Sequence, residues 1–457
     1  MKVVKFGGSS LANGTQFRKV ANIILADKER RIVVVSAPGK RHENDIKTTD
    51  LLINLADSIT NGGNESLALN GVLERFAVII RELELNDNLL TSIENHLNEL
   101  IDFYRNDEAR LLDALKASGE NQNAKIMAAF LSNLGEEAHY VSPKEAGMIV
   151  TDQPGNARIL PEAYGEIQKL RNRSGILVIP GFFGYSKLGN IVTFPRGGSD
   201  ISGSIIAAGV EAEEYENFTD VDSVYSVNPN LVENPHEMKE ISYQEMRELA
   251  YSGFSVFHDE ALQPVVIKKI PVTVKNTNHP EAPGTRIVSR RSPNGQPVVG
   301  IASDKDFCSI NITKYLMNTE VGFGRHLLEI LEDEGISFEH TPSGIDNMSV
   351  IIKSHHFENG KEERVLHRIK TELSVEDVQV ERNLAMVMVV GEGMFKTLGV
   401  ASKATVALSE AGVNIKMINQ GSSEVSMMFG VDEKDVDLAV KSLYHAYFTA
   451  VEEPTKA

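Results

Sequence analysis

The chain has a single cysteine, Cys308, and no tryptophan among its 457 residues. One thiol cannot form an intramolecular disulfide, so a disulfide framework and a redox pair within the chain are both excluded, and a reducing compartment fits. Long apolar runs are missing as well. No stretch approaches the ~18 residues of a membrane-spanning helix, and the best, residues 176–185, is interrupted by Pro180, Gly181 and Gly184. The opening Met1-Lys2-Val3-Val4-Lys5-Phe6-Gly7-Gly8 has too short an apolar run for a signal peptide. A soluble, cytoplasmic protein with no membrane partner is expected. Basic clusters are also lacking: 46 Lys and Arg stand against 64 Asp and Glu, a net charge of −18. Tracking a nucleic-acid backbone requires grouped cations, so no nucleic-acid partner is expected. If the ligands are anions, the global field repels them and a few local cations must overcome it.

What is present is a long, core-forming chain. With 42% hydrophobic residues and ~100–200 residues per domain, two or three domains follow. Residues 1–295 alternate strand-like and helix-like segments, the pattern of an α/β domain with a mainly parallel sheet. Strands are expected at 2–6, 31–36, 176–179, 190–194, 214–219 and 271–276. Helices are expected near Thr15, over 49–59, through most of 65–134 in pieces punctuated by Asn86-Asp87-Asn88 and Gly119, and from 200 through Ala208. Around 289–297 the composition turns to Arg290-Arg291-Ser292-Pro293-Asn294-Gly295, a linker.

Beyond it lies an internal repeat. A shift of 77 positions superposes Met317 on Met394, Gly322 on Gly399, Leu331 on Leu408, Gly335 on Gly412, Gly344 on Gly421 and Ser349 on Ser426. Each copy reads strand, helix, strand, strand, helix, a ferredoxin-like α+β unit duplicated in tandem over 303–380 and 381–457. Periodicity alone does not exclude a purely structural duplication.

Four segments carry candidate chemistry. In Lys5-Phe6-Gly7-Gly8-Ser9-Ser10, glycines between a strand and a helix let backbone N–H groups approach an anion, and a lysine at the strand end supplies a point charge for nucleotide phosphates. Neither the Walker spacing nor the dinucleotide fingerprint is present; the plain alternative is a turn needing glycine for positive φ. Arg196-Gly197-Gly198-Ser199-Asp200 joins a second glycine pair to an arginine fork suited to a carboxylate and to an aspartate at a helix start, although Asp200 could be a simple cap. Two such turns suggest one site handling two anionic groups. Ser118-Gly119-Glu120 puts a carboxylate just after a glycine at an expected helix start, where complementing the helix dipole is, taken alone, the better explanation. The polar segment 219–229, with Tyr225, could cradle a base or ribose or be only a connection. The twelve histidines show no metal-ligand spacing, so no protein metal site is expected, and no Gly-x-Ser-x-Gly nucleophile occurs.

At these residues the sequence resembles the aspartate kinases, most closely their single-function, lysine-sensitive type. The motifs 5–10, 196–200 and Thr219-Asp220-Val221 match in order and spacing, as do Asn414-Ile415-Lys416-Met417-Ile418 and Gln420-Gly421-Ser422-Ser423-Glu424 in the tail. The resemblance covers essentially the whole chain. It implies a three-layer amino acid kinase-like fold followed by two tandem ACT-type regulatory domains. It implies ATP-dependent phosphorylation of the L-aspartate side-chain carboxylate, the opening step toward lysine, threonine and methionine, with ATP and Mg²⁺ as cofactors. Carried over residue by residue, Lys5 and Asp200 become catalytic. Lys5, Phe6, Gly7, Gly8, Ser9, Thr219, Asp220 and Tyr225 line the nucleotide site. Thr49, Glu120, Arg196, Gly197, Gly198 and Ser199 hold aspartate. For Thr49 the neighbouring Thr48 is the competing position. Two departures touch the nucleotide side: Ser255 in Gly253-Phe254-Ser255-Val256-Phe257-His258-Asp259, where the family often has lysine, and Asn230 after Asn228-Pro229, where it has arginine.

The same resemblance implies lysine as an allosteric effector, with threonine as a possible second, held by Met317, Phe323, Gly324, Ser337, Phe338 and Glu339. The family prefers Asp at the position of Glu339, and Met317, Phe323 and Phe338 also fit an ordinary apolar core. A homodimer or dimer of dimers is implied. The alternatives are another acyl-phosphate-forming kinase, acting on glutamate or N-acetylglutamate, and a non-catalytic amino-acid sensor.

Overall fold

A computed structural model describes residues 1–195, 197–253, 259–291, 296–358, 360–421 and 425–449. They form two compact units: Met1–Val224, Glu237–Met246 and Ser255–Arg291 in the first, and Tyr225–His236, Arg247–Phe254 and Ser292–Ala457 in the second.

The main sheet of the first unit has eight strands: β1 (Lys2–Phe6), β2 (Arg30–Val35), β3 (Ala138–Tyr140), β4 (Ile176–Pro180), β5 (Glu214–Thr219), β6 (Glu240–Ser242), β7 (Val272–Asn276) and β8 (Thr285–Val288). Their order is β6-β8-β7-β5-β1-β2-β4-β3. Neighbours run parallel except the antiparallel β7–β8 pair. Helices cover both faces: α1 (Gly14–Leu25), α2 (Thr48–Thr60), α3 (Glu65–Glu82), α4 (Asn88–Tyr104), α5 (Glu108–Asn133) and α6 (Gly198–Gly209). That is why Val3–Phe6 and Ile32–Val35 read as unbroken apolar or buried runs. Strand alternation sends Val4 and Phe6 into the core shared with α1–α5. It turns Lys5 to the opposite face, where α6 packs on β1 and β5.

One expectation from sequence is corrected here. Gly119 does not interrupt a helix: α5 runs 26 residues straight through it. A Cβ at Gly119 would lie 2.9 Å from the Ala37 Cβ and 3.1 Å from Leu52 Cδ1. The glycine therefore permits close packing, which outweighs its helix cost of ~1 kcal/mol. The helix expected near Thr15 is present as α1. Gly8–Leu11 is a single 3₁₀ turn, and α1 begins only at Gly14, capped by the Asn13 side chain accepting from the Gln16 N–H.

The second unit contains β9 (Gly300–Thr313), β10 (Asn347–Lys353), β11 (Asp377–Val390), β12 (Ile415–Gln420) and β13 (Ser426–Asp432). They form one antiparallel sheet in the order β10-β9-β11-β13-β12. Helices α7 (Phe323–Asp333), α8 (Lys361–Glu372), α9 (Val400–Glu410) and α10 (Val436–Phe448) accompany it. The long strands β9 and β11 pass from one hydrophobic core to the other. Ile301, Ala385, Val387 and Val389 join the core of α9 and α10. Cys308, Ile310 and Ile312 belong with α7 and α8, and Val378 and Val380 pack there. Asp306 (φ 67°) and Asn383 (φ 57°) sit at the crossing in the left-handed region, which Asp and Asn tolerate. Both repeats thus share one sheet.

The strand expected after the first helix of the first repeat is reduced to isolated bridges, His340–Ile351 and Ser343–Met348. Pro342 and Gly344 explain the loss: proline has no N–H for a ladder and glycine weakens a strand. Among the described residues, no helix is long and apolar enough to cross a membrane.

Candidate active site

The site grows from the carboxyl ends of β1, β2 and β5, where chain order reverses on either side of β1. Crevices at such switch points are where open α/β sheets receive ligands. Register places Lys5 of β1 directly across from Asn217 of β5, so both side chains emerge on one face. Lys5 is 7% exposed, and its Nζ lies 2.7 Å from the Asp200 carboxylate in the first turn of α6. It also donates to Asn217 Oδ1 at 3.4 Å, while Asn217 Nδ2 donates to Asp200 Oδ1 at 2.6 Å. This closed triangle ties the first glycine turn to the second.

The glycines work by proximity. Gly7 is extended (φ −72°) and hydrogen bonds through its N–H to the Phe218 carbonyl. The Gly39 N–H donates to the Gly8 carbonyl at 2.8 Å, and a Cβ on Gly39 would sit 2.5 Å from the Gly8 carbonyl carbon. The loops after β1 and β2 therefore cross backbone on backbone. Gly197 does use positive φ (74°), as the N-cap of α6, and a Cβ on Gly198 would meet the Phe182 ring at 2.3 Å. Ser199 lies against Gly181 at the end of β4.

A cavity of about 550 Å³ opens at this edge, lined by Gly8, Ser9, Ser36, Ala37, Pro38, Gly39, Lys40, His42, Glu43, Lys47, Thr49, Glu120 and Asp220. Glu120 is its buried acid. It sits in the middle of α5, not at a helix start, so the dipole explanation falls. Burial pushes its pKa up to about 8, against the opposing pull of the Ala37 N–H hydrogen bond and of Lys116. Its Oε2 has no hydrogen-bond partner among the described residues. A buried oxygen without a partner at a cavity wall calls for a donor from a ligand. Thr48, at the start of α2, is fully buried with Oγ1 likewise unpartnered, whereas Thr49 reaches the cavity lining.

Known proteins decide the family. The model of the amino acid kinase family matches residues 1–276, and an ACT domain matches residues 387–447. Aspartokinase 3 of Bacillus subtilis is 53% identical over 451 residues, spanning 99% of each chain. The chain belongs to the aspartokinase family. Its structure is similar to Clostridium acetobutylicum aspartate kinase, with a TM-score of 0.86, 40% identity, and coverage of 98% of this chain and 100% of that one. It is also similar to E. coli aspartokinase III solved with aspartate and ADP, with a TM-score of 0.78, 25% identity and the same coverage. A further structure of that enzyme holds lysine and aspartate in its T-state, with a TM-score of 0.73, 25% identity, and coverage of 98% of this chain and 99% of that one.

Of the residues that the aspartokinase resemblance singled out, Lys5, Gly7, Gly8, Ser9, Asp200, Thr219 and Asp220 gather at the ends of β1 and β5. Phe6 instead stacks on Phe218, 5.0 Å between ring centres, beneath the site. The Thr219 hydroxyl donates to Asp220 at 3.1 Å. Tyr225 belongs to the second unit. Arg196 and Ser255 lie outside the described residues, as do Ser422, Ser423 and Glu424 of the tail motif. Reading by motif missed Asn217, the 36–39 wall, and Lys40, His42, Glu43 and Lys47. No local signal marked Asn217, because β5 reads Glu-Tyr-Glu-Asn-Phe-Thr and is polar at most of its positions.

In the second unit the six positions that the resemblance assigns to an effector differ in environment. Met317 and Phe323 are buried in the apolar core with Leu327 and Ile330. Gly324 faces Met348, with a Cβ contact of 3.8 Å. Phe338 is exposed, and the Ser337 hydroxyl is 3.0 Å from His356 Nε2. Glu339 is half-buried, which raises its pKa while Lys353 opposes the shift. It lines a small cavity with Asp304, Phe307, Met386 and Met388.

Proposed function

We propose that this protein transfers the γ-phosphoryl group of ATP to the side-chain carboxylate of L-aspartate, forming 4-phospho-L-aspartate and ADP. The observation that carries the reading is the buried Lys5–Asp200–Asn217 triangle beside a cavity whose wall holds the unpartnered oxygen of Glu120. Membership of the aspartokinase family supports the same reading.

The acceptor has a reference pKa of ~3.9 and is ionised at neutral pH, so no general base is needed. A carboxylate oxygen attacks the γ-phosphorus, the bond to the β–γ bridging oxygen breaks, and ADP leaves with that electron pair. The obstacle is repulsion between two anions, and catalysis is then mostly positioning and charge stabilisation. Lys5 supplies a fixed positive charge at the outer phosphates, held in place by Asp200 and Asn217. The Gly8 N–H is offered to the same anion, that of Gly7 being committed to the Phe218 carbonyl. Glu120 accepts the substrate ammonium, Thr49 assists at the cavity wall, and Arg196 with 197–199 holds the α-carboxylate. A few preorganised cations where water is excluded outweigh a diffuse net charge of −18 screened over ~8 Å.

Mg²⁺ fits this site as a companion of the nucleotide. Among the described residues no three carboxylate, histidine or cysteine groups converge, which suits an ion bound mainly through phosphates with one or two carboxylates. Asp220 on the cavity wall, beside the nucleotide-side residue Thr219, would hold it. When bound, the ion neutralises charge on the β- and γ-phosphates.

The tandem repeats make the enzyme a feedback-inhibited one, with lysine as effector bound at the first repeat, threonine as a possible partner effector, and a homodimer or dimer of dimers as the assembly. The cytoplasm is its place of work. One assay tests the reading: ADP release with aspartate, with glutamate and with no acceptor, each repeated with lysine and threonine. Aspartate-dependent release depressed by lysine is expected. Release favoured by glutamate, or none with any acceptor, would overturn it.

A further inference from the structure

Beside Glu120 the helix α5 carries a second polar residue in the same packing layer. Asn123 is fully buried and one turn further along, on the same face as Glu120. Its Nδ2 donates to the Ser36 carbonyl at 2.6 Å, while the Ala37 N–H favours the ionised form of the Glu120 carboxylate. Those two groups belong to one peptide unit, Ser36–Ala37, at the carboxyl end of β2. A trans peptide points its C=O and N–H in opposite directions, so the bond to Asn123 at one end sets where the Ala37 N–H points at the other. The Asn123 Oδ1, like Glu120 Oε2, has no partner among the described residues. Gly119, with its space for Ala37, lets helix and strand end come this close.

We propose that Asn123 is a positioning residue for substrate recognition: by locking the Ser36–Ala37 peptide it holds the Ala37 N–H toward Glu120 and so keeps that carboxylate oriented for the ammonium group of an amino-acid substrate. This rests on the reading of Glu120 as the ammonium acceptor. Without Asn123 the peptide can rotate, the Ala37 N–H leaves Glu120, and the carboxyl loses both its orientation and a donor that favours its ionised form. The charged groups around it are Lys116 on α5 and Lys40, His42, Glu43, Lys47 and Asp220 along the cavity. None of them replaces that donor. A cost in aspartate binding, separate from ATP binding, follows.

The test is steady-state kinetics of the full-length enzyme and its Asn123→Leu variant, varying aspartate and ATP separately from pH 6.5 to 9, with thermal melts alongside. Expected is an aspartate KM raised roughly tenfold, an ATP KM within twofold of wild type, and an aspartate KM profile whose limb moves to higher pH. An unchanged aspartate KM, or equal rises for both substrates, overturns the proposal. Asn123→Ser, smaller and polar but too short to reach Ser36, serves if the leucine variant does not fold, and the same shifts are expected of it. The wild type in parallel keeps the two claims distinct. If it lacks aspartate-dependent turnover, the functional reading fails and this inference with it. If it is active and the variants match it, only the role of Asn123 fails.

Discussion

Gly8 and Gly39 cross at hydrogen-bond distance, the Gly39 N–H on the Gly8 carbonyl at 2.8 Å, with no room for a side chain on either residue. This contact joins the loops after β1 and β2 and so sets the floor of the cavity. A Cβ at Gly8 would lie 2.9 Å from the Ala37 carbonyl oxygen. Gly8→Ala is therefore expected to push the loops apart, destabilising by ~1–3 kcal/mol and lowering turnover. Calorimetry and an ADP-release assay check this; an alanine variant with wild-type melting and turnover contradicts it.

Lys5→Ala removes the fixed charge while leaving Asp200 its hydrogen bond from Asn217 and its partial access to solvent. Turnover should fall ~10²–10³-fold, the scale of losing one preorganised stabilising group, with folding retained. Near-normal turnover would remove Lys5 from the reaction.

The raised pKa of Glu120, about 8, has two signed consequences. An ammonium ligand needs the ionised carboxylate, so the aspartate KM should fall as pH rises from 6.5 to 8.5, and Glu120→Gln should abolish that slope while raising KM throughout. In the ligand-free protein the folded state holds this proton more tightly than the unfolded chain, where a glutamate titrates near ~4.3. Stability from this group is therefore lost as pH rises from that value through 8. Glu120→Gln should flatten the dependence, and melting curves of both proteins across pH 5–9 give the answer.

Arg75, buried on α3, pairs with Asp45 at 2.7 Å and donates to the Ile46 carbonyl; Asp45 also accepts from Arg41 at 2.9 Å. The two arginines hold the Asp45 carboxyl far below the usual carboxylate range and anchor the 40–47 segment that lines the cavity. Arg75→Met keeps the bulk but breaks a buried pair, for which a cost of ~3 kcal/mol is expected. Denaturant unfolding measures it, and limited proteolysis should show earlier cleavage within 40–47.

Feedback control is checked at Glu339. Lysine should lower the turnover of the wild type, and Glu339→Ala should weaken that inhibition without changing the rate in its absence. Equal inhibition of both proteins would exclude Glu339 from the effector site.

Much of this molecule was legible before any coordinates. Apolar runs such as Ile32–Val35 announce strands buried on both faces, and the 77-residue repeat is a matter of counting identities. The glycine-bounded motifs pointed to the anion site because few residue types let backbone approach a phosphate. Other features were not local and could not be read. Gly119 resembles a helix break until Ala37, 82 positions earlier in the chain, is seen to press on it. Glu120 became a mid-helix acid for the same reason. The strand lost at Pro342 and Gly344 was masked by the stronger repeat signal around it. What the order of amino acids determined by itself is the set of local preferences: which segments are strands or helices, where backbone can come close, and which charges are scarce. What only the tertiary structure decided is which of those residues meet. Asn217 faces Lys5 and Asn123 meets Ser36 through strand register and helix packing, contacts between segments 87 to 212 residues apart, and spacing along a chain carries no record of such distances.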